Sequence, residues 1–553
     1  WAAVLLQAAK LLESHHLQLI NLLVHEARKT IPNAHMEVRE AVDFCRYYAA
    51  QVSTLRALQP ESTPRLAVCI SPWNFPLAIF MGQVVGALAS GHVVVAKPAE
   101  QTPHIACYAA KLLHKAGVPV EVLQLVYGDW EVGSWLCSYP AVDTVLFTGS
   151  NAAAKHIHAS LLNRDCLQSL PLLIAETGGQ NAMVVDSSAL LEQVVGDALE
   201  SAFGSAGQRC SALRVLCVQE DIADSLIALL KAAMQELQVG DPEFISTDLG
   251  PLIDRDAWQA VNTHIENMNA NGFPVFRAER VNLPVAGHFA VPTLIELQHL
   301  YELQQEVFGP VLHVLRFKAD HLPALLHELN ATGYALTFGI HSRIQSTIDL
   351  VCNTTQAGNV YVNRNMVGAV VGSQPFGGHG KSGTGPKAGG PHYLPTLMRL
   401  PQLKNMQNQE LPGPTGEQNL YRCRPRGRVW CTAKDLALLE QQIDAVLATG
   451  NVPVCELADD DRNPHLIANA EVLSEIDLGN INLVICHPEN TEILKWVCDR
   501  LAQHPGTIIP LVLGDEHGVY PDYRLVCEQV LSVNTAAIGG NLTLLADHQP
   551  GLH

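Results

Sequence analysis

Among the fourteen cysteines of this chain, Cys210 stands apart. It follows the small, polar run Gly204, Ser205, Ala206, Gly207 in "FGSAGQRCS" and is followed at once by Ser211. Backbone with so little side chain can be approached closely, and Gln208 and Arg209 are poor core residues. "SALRVL" then begins a strand, so the thiol is expected at a loop-to-strand junction, accessible, and as thiolate a strong nucleophile toward carbonyls. The competing reading is a packed free thiol, the usual state of a cysteine. A nucleophile also needs a base. In "LLIAETGGQNAMVV" Glu176 follows the apolar strand "PLLIA" and precedes two glycines. It is either a surface carboxylate at a turn or, in an apolar pocket, an acid whose pKa rises toward the range useful for proton transfer. Thiol attack on an aldehyde creates an oxyanion. The amide of Asn74, in "SPWNFP", can donate to it together with a backbone N–H near Cys210; alternatively Asn74 is a turn residue satisfied by its own backbone.

A second set of residues points to a dinucleotide. Lys97 and Glu100, in "VVVAKPAEQTP", sit at a strand end. Lysine can bond ribose hydroxyls, and glutamate accepts from a 2′-hydroxyl while repelling a 2′-phosphate, which favours NAD over NADP. "VLFTGSNAAAKHI" is a strand, a Gly-Ser turn and a helix, so Ser150 is expected to cap that helix and place its N-terminus at a pyrophosphate. Two phosphate-loop matches fail. Gly378, Gly380 and Gly383 fit GxGxxG but follow no strand and open no helix, and "GHGKSG" has Pro375 where a Walker A loop needs its first glycine. No HExxH and no zinc-type Cys/His spacing occurs, so no metal site is expected.

The elements that must position these residues alternate. Residues 1–52 form helices with a polar break near Pro32. From Leu66 onward come "RLAVCISP" (strand), "FPLAIFMGQVVGALASG" (helix), "HVVVAKP" (strand), "PHIACYAAKLLHKAG" (helix), then the strands "VLQLVYG" and "TVLFTGS". This is the rhythm of βαβ units and a parallel sheet, whose ligands gather at the carboxyl ends of the strands. Pro72, Trp73, Asn74, Lys97, Glu100 and Ser150 all follow strands. A second α/β block runs from about Ala182 to Gly372. Residues 375–395 are Gly- and Pro-rich loop, "KNMQNQELPGPTGEQN" is a polar linker, and a third α/β block follows. "VNRNMVGA" at 362–369 and "VNTAAIGG" at 533–540 form a faint repeat, which hints that the third block is a degenerate copy of the main fold.

Bulk properties narrow the classes. A chain of 553 residues, 48% hydrophobic and 16% charged, is expected to build two to four domains. Its 35 basic and 54 acidic residues give a net charge of −19, which argues against nucleic acid or an anionic membrane surface as main partner. Arg422, Arg424, Arg426 and Arg428 form one short basic cluster, read as a solvated edge. Unpaired cysteine spacing fits reduced thiols and a cytoplasmic location. The stretch 75–98 is apolar enough to imitate a membrane span, but Gln83, Gly86, Gly91 and His92 interrupt it and no transmembrane segment is expected. The chain opens on Trp1 within an apolar helical pattern, from which it is expected to be part of something longer.

Taken in order, "SPWNFP", "KPAEQTP", "FTGS", "ETGGQN", "GQRCS", "EVFGPV" and "PFGGHGKSG" resemble the aldehyde dehydrogenase superfamily. The resemblance implies hydride transfer to NAD with a covalent thioester on Cys210, Glu176 as general base and Asn74 as oxyanion donor. It also implies cofactor contacts at Pro72, Trp73, Lys97, Glu100, Thr148, Gly149, Ser150 and Gly178, and Glu306 and Phe308 at the nicotinamide end. Residues 360–394 are similar to the substrate loop of L-glutamate γ-semialdehyde (pyrroline-5-carboxylate) dehydrogenases. In that family Ser211, Gly368 and Ala369 would hold the substrate α-carboxylate, and Phe75 and Phe376 would flank the aldehyde chain. Such N–H groups accept an anion without a buried Lys or Arg.

"LPGPTGEQN" and "LSVNTAAIGGN" further resemble the C-terminal part of the bifunctional proline utilization A family. The implied partner is a proline dehydrogenase half of the same polypeptide, where FAD would reside; a homodimer paired through a strand flap is also implied. The implied architecture is α/β: a Rossmann-type NAD-binding domain at 1–178, a catalytic α/β domain at 179–372, a substrate loop, return to the first domain and linker at 373–410, and a non-catalytic aldehyde dehydrogenase-like domain at 411–553. Two rival readings remain. A cysteine hydrolase needs a histidine near the thiol, and none of the 24 recommends itself. A non-catalytic scaffold suits 411–553 but not a segment carrying Cys210, Glu176 and Asn74. Within the superfamily, another carboxylate-bearing semialdehyde is the alternative substrate.

Overall fold

The computed structural model describes residues 1–56, 64–164, 170–278, 283, 287–403, 408–456 and 468–536. Three parallel-centred sheets organise it. The first contains β1 (Leu66–Ile70), β2 (Val93–Lys97), β3 (Leu123–Leu125), β4 (Val142–Thr148) and β5 (Leu172–Glu176), all parallel, in the order β3-β2-β1-β4-β5. Their β-branched, buried residues suit a sheet covered on both faces. The order reverses between β1 and β4, and a crevice opens beyond the carboxyl ends of strands at such a switch point. Pro72–Asn74 follow β1 and Gly149–Ser150 follow β4, so both candidate loops meet there.

The apolar run 75–98 divides into the helix Ala78–Ala89 and β2, and no helix among the described residues is long and apolar enough to cross a membrane. The amino-terminal helices Ala2–Ser14, His16–Ala27 and Ile31–Arg56 pack on this sheet through a shared core with Leu77, Phe80 and Val84. Pro32 does not break them. It lies in the first turn of the third helix, where its missing N–H costs nothing, and the break falls at Arg28, in the left-handed region.

The chain crosses to a second sheet between Glu176 and Ala182. This sheet holds β6 (Ala182–Val185), β7 (Val215–Gln219), β8 (Val275–Arg277), β9 (Thr293–Leu297), β10 (Val311–Phe317), β12 (Thr337–His341) and β13 (Asn359–Val362). A small ribbon of β11 (Tyr334–Ala335) and β14 (His379–Gly380) pins the glycine-rich loop. The polar run expected as a linker is instead partly strand. β15 (Gln409–Leu411) and β16 (Glu417–Pro425) pair antiparallel, and β16 pairs with β22 (Val526–Asn534). Polar letters hid the alternation: Asn419 and Tyr421 are buried, and Ser532 donates to Asn419 at 2.7 Å. Residues 404–407 of that run lie outside the described residues.

β22 lies parallel to β13, so among the described residues the second sheet has ten strands and the segment after 411 is divided between two sheets. The repeat is thereby explained. Val362 and Val533 are partners on adjacent strands, and the Asn534 amide donates to the Asn363 carbonyl at 3.0 Å. Positions 537–540 of the second copy lie outside the described residues.

The third sheet is β17 (Arg428–Cys431), β18 (Val452–Glu456), β19 (Glu471–Leu473), β20 (Leu483–Cys486) and β21 (Leu511–Leu513), parallel, in the order β19-β18-β17-β20-β21. This repeats the winding of the first sheet, as a degenerate copy would. The basic cluster is not a solvated edge. Arg424 donates to the carbonyls of Asn353 and Thr355, Arg426 to that of Arg524, and Arg428 pairs with Glu471.

Candidate active site

A cavity of about 830 Å³ lies between the first two sheets. Of the residues singled out from sequence, it is lined by Cys210, Glu176 and Asn74; by Pro72, Trp73, Thr148, Gly149, Ser150, Gly178, Glu306 and Phe308; and by Phe75, Ser211, Gly368, Ala369 and Phe376. Lys97 and Glu100 do not line it. They follow β2, one strand over, with Lys97 opposite Ile70 and its ammonium 4.0 Å from the exposed Glu100 carboxylate.

Cys210 is half-buried and free. The strand after it starts only at Val215, so the thiol sits in a turn rather than at a strand junction. That turn follows a left-handed run at Ser205, Ala206 and Gly207 (φ 55°, 54° and 69°), an uncommon conformation for side chains larger than glycine's. A Cβ at Gly207 would meet the Gly309 carbonyl at 2.1 Å. Arg214, wholly buried, braces the turn. Its guanidinium donates to the carbonyls of Gly207 at 2.7 Å and Arg209 at 2.9 Å, and to Glu306 at 3.0 Å. Burial, reinforced by the carboxylates of Glu306, Glu176 and Glu40, pushes the Cys210 thiol up to about 12 against a hydrogen bond from the Ser211 backbone. The resting group is therefore a protonated thiol.

The Asn74 amide donates to the Gln208 carbonyl at 3.2 Å. One of its two N–H bonds is thus spent on orientation, two residues before Cys210, leaving the other for an oxyanion. Glu176 ends β5. One carboxylate oxygen accepts from Gly378 N–H at 3.2 Å, and the other is buried without a partner. Burial raises its pKa to about 8, opposed first by the charge of Lys387. Two glycines of the rejected phosphate motif, Gly378 and Gly383, stand at this carboxylate instead: a Cβ on Gly383 would meet it at 3.2 Å, and one on the neighbouring Gly377 would meet it at 2.6 Å.

Two positive side chains that the sequence reading did not call on for the anion site reach the cavity. Lys29 and Arg209 are 4% and 8% exposed. Both are already partnered, Lys29 with Glu37 at 2.6 Å and Arg209 with Asn33. The Lys29 ammonium lies 3.8 Å from the centroid of the Phe75 ring, a cation–π contact. Glu37 also accepts from the Leu77 N–H at 2.8 Å, at the start of the helix Ala78–Ala89, where a carboxylate is favoured. Gln83 ties the ends of β1 and β4 together by donating to the Ile70 carbonyl at 3.3 Å and to Thr148 at 3.1 Å. Among the described residues no histidine lines the cavity, so nothing there supports a Cys–His hydrolase.

The crevice suits a dinucleotide. Ser150 accepts from Ala153 N–H and caps the helix Asn151–Leu162, presenting free N–H groups to a phosphate. At the other end Glu306 folds onto Gly178, where a Cβ would meet its carboxylate at 1.8 Å. Trp73 and Phe308 meet edge to face with centroids 5.6 Å apart. Among the described residues no group of three or more His, Cys, Asp or Glu is placed to hold a metal.

Comparisons with known proteins agree with this geometry. Residues 2–403 match the aldehyde dehydrogenase family. The bifunctional protein PutA of Escherichia coli (strain K12) is 45% identical over 98% of this chain, which spans only 46% of that protein. A 1-pyrroline-5-carboxylate dehydrogenase of Geobacillus sp. (strain WCH70) is 36% identical, with 73% of this chain and 81% of that protein covered. A solved 1-pyrroline-5-carboxylate dehydrogenase from Thermus with bound NAD superposes with a TM-score of 0.66 at 32% identity, covering 72% of this chain and 79% of that one. The family match takes in the whole first sheet, β6 to β10, β12 and β13 of the second, and Cys210, Glu176 and Asn74, and the chain belongs to the aldehyde dehydrogenase family.

Proposed function

We propose that this chain oxidises L-glutamate γ-semialdehyde, the open form of L-1-pyrroline-5-carboxylate, to L-glutamate with NAD. The observation that carries the reading is the meeting of Cys210, Glu176 and Asn74 in one cavity at the switch point of a dinucleotide-type sheet. Likeness to 1-pyrroline-5-carboxylate dehydrogenases supports the substrate. NAD would be held by Pro72, Trp73, Thr148, Gly149 and Ser150, with Lys97 and Glu100 on its ribose and Glu306 and Phe308 at its nicotinamide. Bound there, it supplies a hydride acceptor.

The Cys210 sulfur attacks the aldehyde carbon as its proton passes to water. The Asn74 amide and a backbone N–H beside Cys210 hold the oxyanion. Loss of hydride from that carbon leaves a thioester on Cys210. Glu176 then takes a proton from water, the hydroxyl adds to the thioester carbon, and the C–S bond breaks to release the acid. Ser211, Gly368 and Ala369 hold the α-carboxylate, with Lys29 and Arg209 lending a positive wall despite their own partners. Phe75 and Phe376 flank the chain. Because the resting thiol is protonated, losing its proton is part of the work of attack; Glu176 serves the later step, in which water is activated.

By its likeness to PutA, a proline dehydrogenase half carrying FAD in the same polypeptide is proposed. A homodimer paired through the edge of β13 has no free strand to use, because β22 of the same chain occupies it. The other edges of that sheet, β15 and β8, remain unpaired among the described residues.

Two measurements check the reading. NADH formation on pyrroline-5-carboxylate is expected to be product-inhibited by glutamate and not by succinate; the reverse pattern would assign another semialdehyde. Turnover limited by thioester hydrolysis is expected to rise about tenfold per pH unit below pH 8 and to level above it. A carboxylate base acts only once deprotonated, and Glu176 releases its proton near 8. A flat profile between pH 6 and 9 would remove Glu176 from that role.

A further inference from the structure

Glu176 rests on a short chain of buried groups that leads out of the catalytic sheets and into the carboxyl-terminal segment. The peptide between Gly377 and Gly378 is its inner link. Its N–H donates to Glu176 at 3.2 Å, and its carbonyl accepts from the Lys387 ammonium. A cation on the carbonyl fixes that peptide plane and makes its N–H a stronger donor. Lys387 is 2% exposed. Its ammonium also donates to Asn359 at 2.6 Å, while its backbone N–H donates to Glu528 at 2.8 Å. Glu528 lies on β22, beyond the residues that match the family. Its other oxygen accepts from Tyr421 on β16 at 2.7 Å, and His392 stands 3.8 Å away.

We propose that Glu528 is a positioning residue for Glu176, acting through Lys387 and the Gly377–Gly378 peptide. A buried ammonium without a carboxylate nearby gives up its proton readily, and Glu528 is the strongest charged support Lys387 has. The remaining titratable groups are accounted for. Cys210 and Tyr393 face Glu176. Cys527 faces Lys387. Tyr421, His392, Cys423, Cys527, Tyr47 and Tyr48 face Glu528. The carboxyl-terminal segment therefore contributes a charge to the wiring of the active site as well as covering a sheet edge.

The sign of one effect separates this proposal from simple proximity. Glu528 acts on Glu176 directly only as a weak repulsion, whereas Lys387 is the largest charged influence on it. If Glu528 acted by its own field, Glu528→Gln would move the Glu176 titration to lower pH. Acting through Lys387, the same change lets the lysine lose its proton, and the titration moves to higher pH. The inference rests on Glu176 being the base of thioester hydrolysis.

The experiment is the pH profile of acyl-enzyme breakdown in the full chain with pyrroline-5-carboxylate and NAD, for wild type, Glu176→Gln, Lys387→Met, Glu528→Gln, Glu528→Asp and the Lys387→Met/Glu528→Gln pair. Lys387→Met is expected to move the rising limb up by about one pH unit. Glu528→Gln should move it up by less, Glu528→Asp by less again, and the pair should match Lys387→Met alone. A limb that stays or falls in Glu528→Gln, or shifts that add in the pair, overturns the proposal. Should Glu528→Gln fail to accumulate as folded protein, Glu528→Asp against Lys387→Met decides by the same signs. Loss of the limb in Glu176→Gln upholds the base assignment independently; its persistence there refutes that assignment instead.

Discussion

Cys210→Ala is expected to abolish NADH formation, a loss of at least about 10⁴-fold, because an alanine side chain cannot form the thioester. NAD binding is expected to persist. The dinucleotide crevice is built from the ends of β1 and β4, and Cys210 reaches it only from the turn before β7. The substitution removes a half-buried sulfur and leaves Arg214 bonded to the Gly207 and Arg209 carbonyls, so the turn keeps its shape. Titration of NAD binding by tryptophan fluorescence, using Trp73 in the cavity wall, checks the second half of the expectation. Parallel loss of binding and turnover would mean that the cysteine is structural.

Glu176→Gln is expected to fail at the other half-reaction. The amide cannot take a proton from water, and general-base catalysis is worth about 10²–10⁴-fold. Attack and hydride loss need less from this residue than water activation does. The variant is therefore expected to give a burst of NADH near one equivalent per site and then to stall. Rapid-mixing absorbance resolves the burst from the steady state. A variant that turns over slowly without a burst would place Glu176 before hydride transfer instead.

The parts of this site that were legible in the sequence share one property: each lies in a short run whose local chemistry is abnormal for its position. Cys210 follows a side-chain-poor loop, Glu176 follows an apolar strand, and Asn74 stands between a tryptophan and a phenylalanine just after another strand. The βαβ rhythm then placed the first sheet, and the ends of β1 and β4 followed from it.

What was not legible depended on partners far away in the chain. Arg214 sits in "SALRVLCV", where one charge in an apolar strand looks like a surface-facing residue; only the carbonyls of the preceding turn show why it is buried. Lys29 lies in the connection before the third helix and Asn33 and Glu37 on that helix, nearly 180 residues before Cys210, and nothing local distinguishes them from a solvated face. The glycines at 378–383 were read as failing a phosphate motif, but their use, close approach to the Glu176 carboxylate, required the fold. Polar letters at 409–425 concealed a paired ribbon because Asn419 is buried by hydrogen bonding rather than by hydrophobicity. Glu528 was invisible for the same reason: its meaning comes from Lys387, on a loop of another part of the chain.

The account depends on a covalent bond forming between substrate and one sulfur. Glu176→Gln, mixed with pyrroline-5-carboxylate and NAD, quenched in acid and digested, provides the direct view by mass spectrometry. A γ-glutamyl adduct on the peptide carrying Cys210, near one per site and absent without NAD, is the predicted result. An unmodified Cys210 peptide beside full NADH production, or an adduct on a different cysteine, would contradict it.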